Sequence, residues 1–159
     1  MIKLYHGSTL DIRKIDLTKS RPNKDFGKGF YLSADEQQAW RMGEFKALID
    51  GGTPVLNTYM FDEKYLTNGE LKVVTFGEYS KEWAKFVFEN RNNRTGEQVH
   101  GYDIVYGPIA NDRVGLQMGK YEAGDISLDQ LLTNLKYMKG ITFQYFFGTN
   151  RAIEKLHKI

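Results

Sequence analysis

Polar and apolar residues alternate from Pro54 to Asp62 as they do in a strand with one buried face. Shorter runs of the same kind predict strands at Ile2 to His6 (breaking at Gly7), Gly29 to Ser33, Leu71 to Phe76, Gly101 to Ile109 with a turn at Gly107-Pro108, and Ile141 to Phe147. Helical spacing replaces alternation in between. Ala39, Met42, Phe45 and Ile49 fall three or four apart behind a capping box that begins at Ser33 and is completed by Glu36, and Gly51-Gly52 closes the segment. Trp83, Phe86, Val87 and Asn90 mark a second helix. Leu128, Leu131, Leu132, Leu135 and Met138 form a continuous apolar stripe behind a Ser127 cap with Gln130 at its third position, and Gly140 breaks it. A short closing helix is predicted from Asn150 to His157.

Short strands scattered among helices, without regular strand–helix alternation, indicate an α+β fold rather than a doubly wound sheet. A chain of 159 residues is long enough for one real core and short for two, so a single domain spanning 1–159 is expected. A net charge of +2 neither requires nor excludes a nucleic-acid partner. The absence of cysteine removes disulfides and thiolate metal sites. The first strand starts at once, and no apolar run reaches membrane-spanning length, so a cytoplasmic protein without membrane partners is expected.

Two segments carry candidate chemistry. Tyr5-His6-Gly7-Ser8-Thr9 places a histidine, a serine and a glycine at the end of a strand. A glycine there lets a ligand approach the backbone, whose N–H and C=O match the donor and acceptor of a carboxamide. Gly29-Phe30-Tyr31-Leu32-Ser33 places Phe30 and Leu32 on one strand face and Tyr31 on the other, where an aromatic ring can stack on a planar group. A basic loop from Thr18 to Lys28, with Lys19, Arg21, Lys24 and Lys28, precedes Tyr31 and suits a phosphate neighbour. Other motifs fail. Gly27-Lys28-Gly29 lacks the third glycine of a dinucleotide fingerprint, and Gly115 to Lys120 is one residue short of a P-loop with Tyr121 in place of the hydroxyl. His6, His100 and His157 lie too far apart for a metal site at helical spacing.

Tyr5-His6-Gly7-Ser8, with Asp25-Phe26-Gly27-Lys28-Gly29-Phe30-Tyr31-Leu32-Ser33, resembles the opening of the ADP-ribosyltransferase fold of the diphtheria-toxin and poly-ADP-ribose-polymerase branch, named for a His–Tyr–Glu triad. With Asp103-Ile104-Val105-Tyr106-Gly107-Pro108-Ile109-Ala110 and Gln144-Tyr145-Phe146-Phe147, nearly the whole chain is similar to a bacterial family assigned to that clan, domain of unknown function 3990. The resemblance implies a split β-sandwich of two mainly antiparallel sheets with flanking helices and a cleft between them. It implies NAD as substrate, with His6 on a ribose hydroxyl, Gly7 holding the nicotinamide carboxamide, Ser8 supporting the adenosine ribose, Tyr31 stacked on the nicotinamide ring and Ser33 at the end of the same segment. Gln144 stands where the better-known transferases carry a catalytic glutamate, giving a His6–Tyr31–Gln144 variant of the triad; Asp112 and Glu122 are the next carboxylates to consider. Where related enzymes bring a second aromatic to the ring, this chain has Met42, with Trp40 expected in the core.

The expected activity is therefore mono-ADP-ribosyl transfer from NAD or its hydrolytic variant, NAD glycohydrolysis, in a toxin- or effector-like protein that needs no metal. A glutamine accepts the ribose hydroxyl's hydrogen bond but brings no charge and no base, which argues against chain extension into poly-ADP-ribose. The expected acceptor is a protein or nucleic acid; Lys136-Tyr137-Met138-Lys139-Gly140 lies where related transferases place an acceptor-recognising loop, although a helix end carries such cations in any case, and an antitoxin or neighbouring-gene product is a further expected partner by analogy of fold. The alternative from another class is a catalytically degenerate nucleotide-binding or protein-interaction domain with the same fold. A third is a nucleic-acid-binding module using the basic loop and aromatics.

Overall fold

The computed structural model describes residues 1–159 and is α+β. One sheet has the order β1 (Ile2–Ser8), β3 (Val55–Phe61), β7 (Leu156–Lys158), with all pairs antiparallel. The other has the order β2 (Phe30–Leu32), β6 (Phe143–Phe147), β5 (Ile104–Pro108), β4 (Val73–Thr75), antiparallel except for the parallel β4–β5 pair. Five helices complete it: α1 (Glu36–Asp50), α2 (Lys81–Arg91), α3 (Asp112–Glu122), α4 (Leu128–Lys136) and α5 (Asn150–Ile153).

Strand alternation divides the core in two. Phe30, Leu32, Ile104, Tyr145 and Phe147 face the first sheet and pack on Leu4, Tyr59 and Phe61, the filling of a sandwich. Val105 and Phe146, one residue out of phase, face the other way and meet Trp83 and Val87 of α2, Val114 and Met118 of α3, and Leu131 and Leu135 of α4. Tyr31 lies on this second side, opposite Phe30 and Leu32 as its position in the strand predicts. Asp103, almost fully buried, ties the sandwich's end together: its carboxylate accepts from Arg151, from the Thr149 hydroxyl at 2.6 Å and from the Lys72 backbone N–H at 2.7 Å.

Several elements depart from the sequence reading. Helix α1 is capped by Asp35, whose carboxylate accepts from the N–H groups of Gln37 and Gln38; Ser33 instead accepts from Asp35 N–H in the turn before it. Its apolar stripe is not its buried face: Met42, Phe45 and Ile49 are 51%, 58% and 65% exposed, whereas Ala39 and Gly43 are buried. Trp40, expected in the core, is 41% exposed. The helix docks through its smallest residues because it crosses β1 at Gly7. A Cβ on Gly7 would lie 1.8 Å from the Ala39 carbonyl oxygen and 2.5 Å from the Gly43 nitrogen. The glycine that suggested close approach of a ligand is thus filled by a helix, and β1 runs through it to Ser8 rather than breaking there.

Strand β5 likewise continues through Gly107 to Pro108, which pairs with Phe143, so no turn interrupts it. Helix α3 occupies a stretch read only as a failed P-loop. The closing helix ends at Ile153, and the chain then adds β7 beside β3. No helix is long and apolar enough to cross a membrane.

Candidate functional site

The two sheets meet where Tyr5 and Ser33 exchange backbone hydrogen bonds, Tyr5 N–H to Ser33 O at 2.8 Å and Ser33 N–H to Tyr5 O at 2.9 Å. That bridge sets the end of β1 beside β2. The register Tyr31↔Phe146 then brings β6 alongside, with Gln144 two residues further on the same face as Tyr31. A cleft of about 430 Å³ opens here, lined by His6, Gly7, Tyr31, Ser33 and Gln144, with Lys24, Asp25, Gln38, Met42, Lys46 and Arg91 around them. Its volume is that of a small-molecule site. A larger, more open depression at the start of α1 is lined by Asp35, Glu36, Gln37, Trp40, Arg41 and Leu56 and contains none of the candidate residues.

His6 is held from two sides. Nδ1 lies 2.7 Å from the Tyr31 carbonyl oxygen, which can only accept, so Nδ1 carries the proton and Nε2 keeps its lone pair. Nε2 faces the Lys46 ammonium at 3.4 Å, and the ring stacks on Phe30 at 4.4 Å. Burial first, and then the charge of Lys46, lower the His6 pKa from 6.5 to about 4, while the Tyr31 bond opposes them. The imidazole is neutral at pH 7 and presents an acceptor to the cleft.

A stability consequence follows, because unfolding returns this histidine to its ordinary pKa. The unfolded chain then binds more protons than the folded one between pH 6.5 and about 4. The contribution is complete above pH 6.5 and declines as pH falls towards 4. Moving from pH 8 to pH 5 should cost about 2 kcal/mol through this residue. Urea unfolding at both pH values, with His6→Asn as the comparison, isolates that share from His100, whose pKa is also lowered by burial. Equal pH dependence in parent and variant would remove His6 as its source.

Tyr31 is more constrained than a free stacking platform. Its hydroxyl donates to the Gly27 carbonyl at 2.6 Å and accepts from Phe26 N–H at 3.0 Å, fixing the turn in which Gly27 adopts φ 90°. Burial raises its pKa well above the ordinary phenol value. The ring is stacked on Phe26 at 6.3 Å and edge-on to Phe146 at 5.3 Å, and the Lys24 ammonium lies 5.2 Å from its centroid. A planar ligand stacking on Tyr31 would take the place of Lys24. Of the basic loop's four cations, Lys24 is the one that lines the cleft.

The remaining predicted residues divide. Gln144, partly buried beside Gly107, lines the cleft, and Ser33 lines it with its hydroxyl 3.1 Å from Gln38 Oε1. Ser8 does not reach the cleft: it is buried, and its hydroxyl accepts from Leu10 N–H at 3.3 Å to close the turn after β1. The Gly7 carbonyl accepts from Lys46 at 2.9 Å. Met42 forms part of the wall, whereas Trp40 and Phe45 do not, so no second aromatic flanks Tyr31 from α1. Asp112 and Glu122 are exposed on α3 and outside the cleft; the carboxylate that lines it is Asp25, paired with Arg91 at 2.7 Å.

Sequence reasoning missed Lys46, Gln38 and the Asp25–Arg91 pair. The signal for the first two was present, since Gln38, Met42 and Lys46 recur every fourth residue and share one face of α1. No three His, Asp or Glu side chains converge in a way that could hold a metal ion.

A family model described as a protein of unknown function (DUF3990) matches residues 2–158. Neither the curated proteins nor the solved structures contain a significant match.

Proposed function

The chain belongs to the DUF3990 family, and from that membership and the cleft's geometry we propose that it is an NAD-dependent mono-ADP-ribosyltransferase, with NAD glycohydrolysis as its hydrolytic form. One observation carries the reading: His6 of β1, Tyr31 of β2 and Gln144 of β6, drawn from three strands and two sheets, face a single cleft of nucleotide-accommodating size. In the proposed reaction the bond between the nicotinamide nitrogen and ribose C1′ breaks, and nicotinamide leaves with the bonding electron pair. The oxocarbenium-like C1′ is captured by an acceptor nucleophile, or by water, which gives up its proton to the solvent. Neutral His6 accepts a ribose hydroxyl at Nε2. The Gln144 carbonyl accepts another and sets its dipole against the developing cation. Tyr31 provides the aromatic wall for the ring.

A second reading has its own support. Lys46 occupies the Gly7 carbonyl and faces His6 Nε2, and Lys24 covers Tyr31, so the three groups that would grip nicotinamide and its ribose are already engaged by lysines. That arrangement suits a binding domain without turnover. Incubating the purified protein with NAD labelled in the nicotinamide ring separates the two. Release of free nicotinamide is the expected result. Binding without release over hours would establish the binding domain instead, and absence of NAD binding would remove both.

A further inference from the structure

Three lysines elsewhere on this chain pair with carboxylates, Lys64 with Asp62, Lys155 with Glu70 and Lys158 with Asp11, and others stand unpaired on the surface; what sets Lys24 and Lys46 apart is that both line the cleft. Neither of these two pairs with a carboxylate. Lys46 donates to the neutral Gly7 carbonyl and faces the neutral His6, and Lys24 rests on the face of Tyr31. The cleft's own carboxylate, Asp25, is taken by Arg91 at 2.7 Å and also receives Ala110 N–H at 3.4 Å. Asp50, one turn along α1 from Lys46, acts on it only through space.

We propose that Lys24 and Lys46 form an anion-binding subsite that takes the diphosphate of a dinucleotide ligand. Lys46 is partly withdrawn from water without a counterion, which is costly in the empty protein, and a phosphate group shared with the more exposed Lys24 supplies the missing charge. Loss of solvent lowers the pKa of both, and each is lowered further by a neighbouring cation, Arg21 for Lys24 and Lys24 for Lys46, so the two cleft lysines already repel one another. An ammonium has three protons, and Lys46 spends one on Gly7 O and directs another at His6, which leaves one for an incoming oxygen. Both lysines sit on flexible four-carbon stems, so moving from Tyr31 and Gly7 onto a phosphate frees the ring face and the carbonyl in the same step. The lysines that block the empty site are thereby the ones the ligand's phosphates withdraw.

The diphosphate assignment rests on the transferase reading, while the anion preference does not, and titration calorimetry distinguishes them. Probes are ADP-ribose, inorganic pyrophosphate and adenosine, each against the parent, Lys24→Met with Lys46→Met, and Lys46→Arg. ADP-ribose should bind the parent at least tenfold more tightly than adenosine, weaken as salt rises, and lose about a hundredfold when both lysines are removed. The arginine variant, which keeps the charge, should retain the preference. The salt dependence of the parent gives an independent reading should the double variant be poorly folded. An unchanged ADP-ribose affinity in the folded double variant, or a parent indifferent to salt, overturns the subsite even if NAD is cleaved. A lysine-dependent affinity for pyrophosphate and ADP-ribose in a protein that releases no nicotinamide upholds the subsite and overturns the transferase.

Discussion

Replacing Gln144 with alanine should reduce nicotinamide release by about 10²–10³-fold, the scale on which removing one preorganised group opposite a developing charge acts. The protein should remain folded, because the Gln144 side chain belongs to the cleft wall and not to either core. It should also still bind NAD through His6, Tyr31 and the lysines, so the loss falls on turnover and not on affinity. Gln144→Glu is the sharper test. A carboxylate accepts the same ribose hydroxyl and adds a charge opposite the oxocarbenium-like centre, which a neutral amide cannot. Charge-assisted bonds exceed neutral ones by about 1 kcal/mol, so hydrolysis should be retained or rise by up to about tenfold. The lysines temper that gain: the new carboxylate would share the cleft with Lys24 and Lys46, and an ion pair to either would divert it from the substrate. Single-turnover release of labelled nicotinamide from the parent and both variants checks the pair. An alanine variant that processes NAD like the parent would end the assignment of Gln144, and Asp25 would be the carboxylate to test next, since it alone lines the cleft.

Six of the seven strands were legible from their apolar runs: β3 alternates because one face is buried, whereas β5 and β6 bury both faces and read as nearly continuous apolar stretches. Val55–Phe61 and Phe143–Phe147 were expected within two residues of their ends. Helix α4, like β3, was legible from its one buried face: its leucines point into one core, and Ser127 accepts from Gln130 N–H at 3.1 Å as the capping pattern requires. Helix α3 was not. Gly115 and Gly119 each cost about 1 kcal/mol relative to alanine in a helix and read as a loop. Its true marks were Asn111, which accepts from Val114 N–H at 3.0 Å, and the spacing of Val114, Met118 and Tyr121. Strand β7 is three residues long and exists because β3, almost a hundred residues earlier, leaves an edge for it; nothing local encodes that. The site shows the same division. His6, Tyr31 and Gln144 were legible as motif residues, but their mutual placement depends on the Tyr5–Ser33 bridge and the β2–β6 register. Tyr31's hydroxyl, bound to Phe26 and Gly27, belongs to that tertiary layer, and its removal is therefore not the silent change that a purely stacking role implies.

Helix α1 was the most misleading element, and it carries the largest expected effect on stability. Its hydrophobic stripe of Met42, Phe45 and Ile49 suggests the buried face, yet burial is decided at Gly7, where the helix backbone lies against the strand backbone. Gly7→Ala should destabilise the protein by about 3–5 kcal/mol, because its Cβ meets backbone atoms of Ala39 and Gly43 that no rotamer change can move. For a chain of this size that corresponds to a melting temperature lower by roughly 10 °C. The partner glycine behaves differently. A Cβ on Gly43 lies 3.3 Å from Ser8 N and 3.4 Å from Gly7 Cα, a tight but tolerable contact, and alanine recovers about 1 kcal/mol of helix propensity. Gly43→Ala should therefore be close to neutral. Gly115→Ala and Gly119→Ala, open on the surface of α3, should each stabilise by about 0.5–1 kcal/mol. Denaturant unfolding of the four variants tests the asymmetry, and a Gly7→Ala midpoint equal to the parent's would mean that α1 does not cross β1 as described. The crossing also bears on function. Any displacement of α1 from β1 carries Met42 and Lys46 with it, so a folded Gly7→Ala variant should lose ligand affinity without any change to His6, Tyr31 or Gln144.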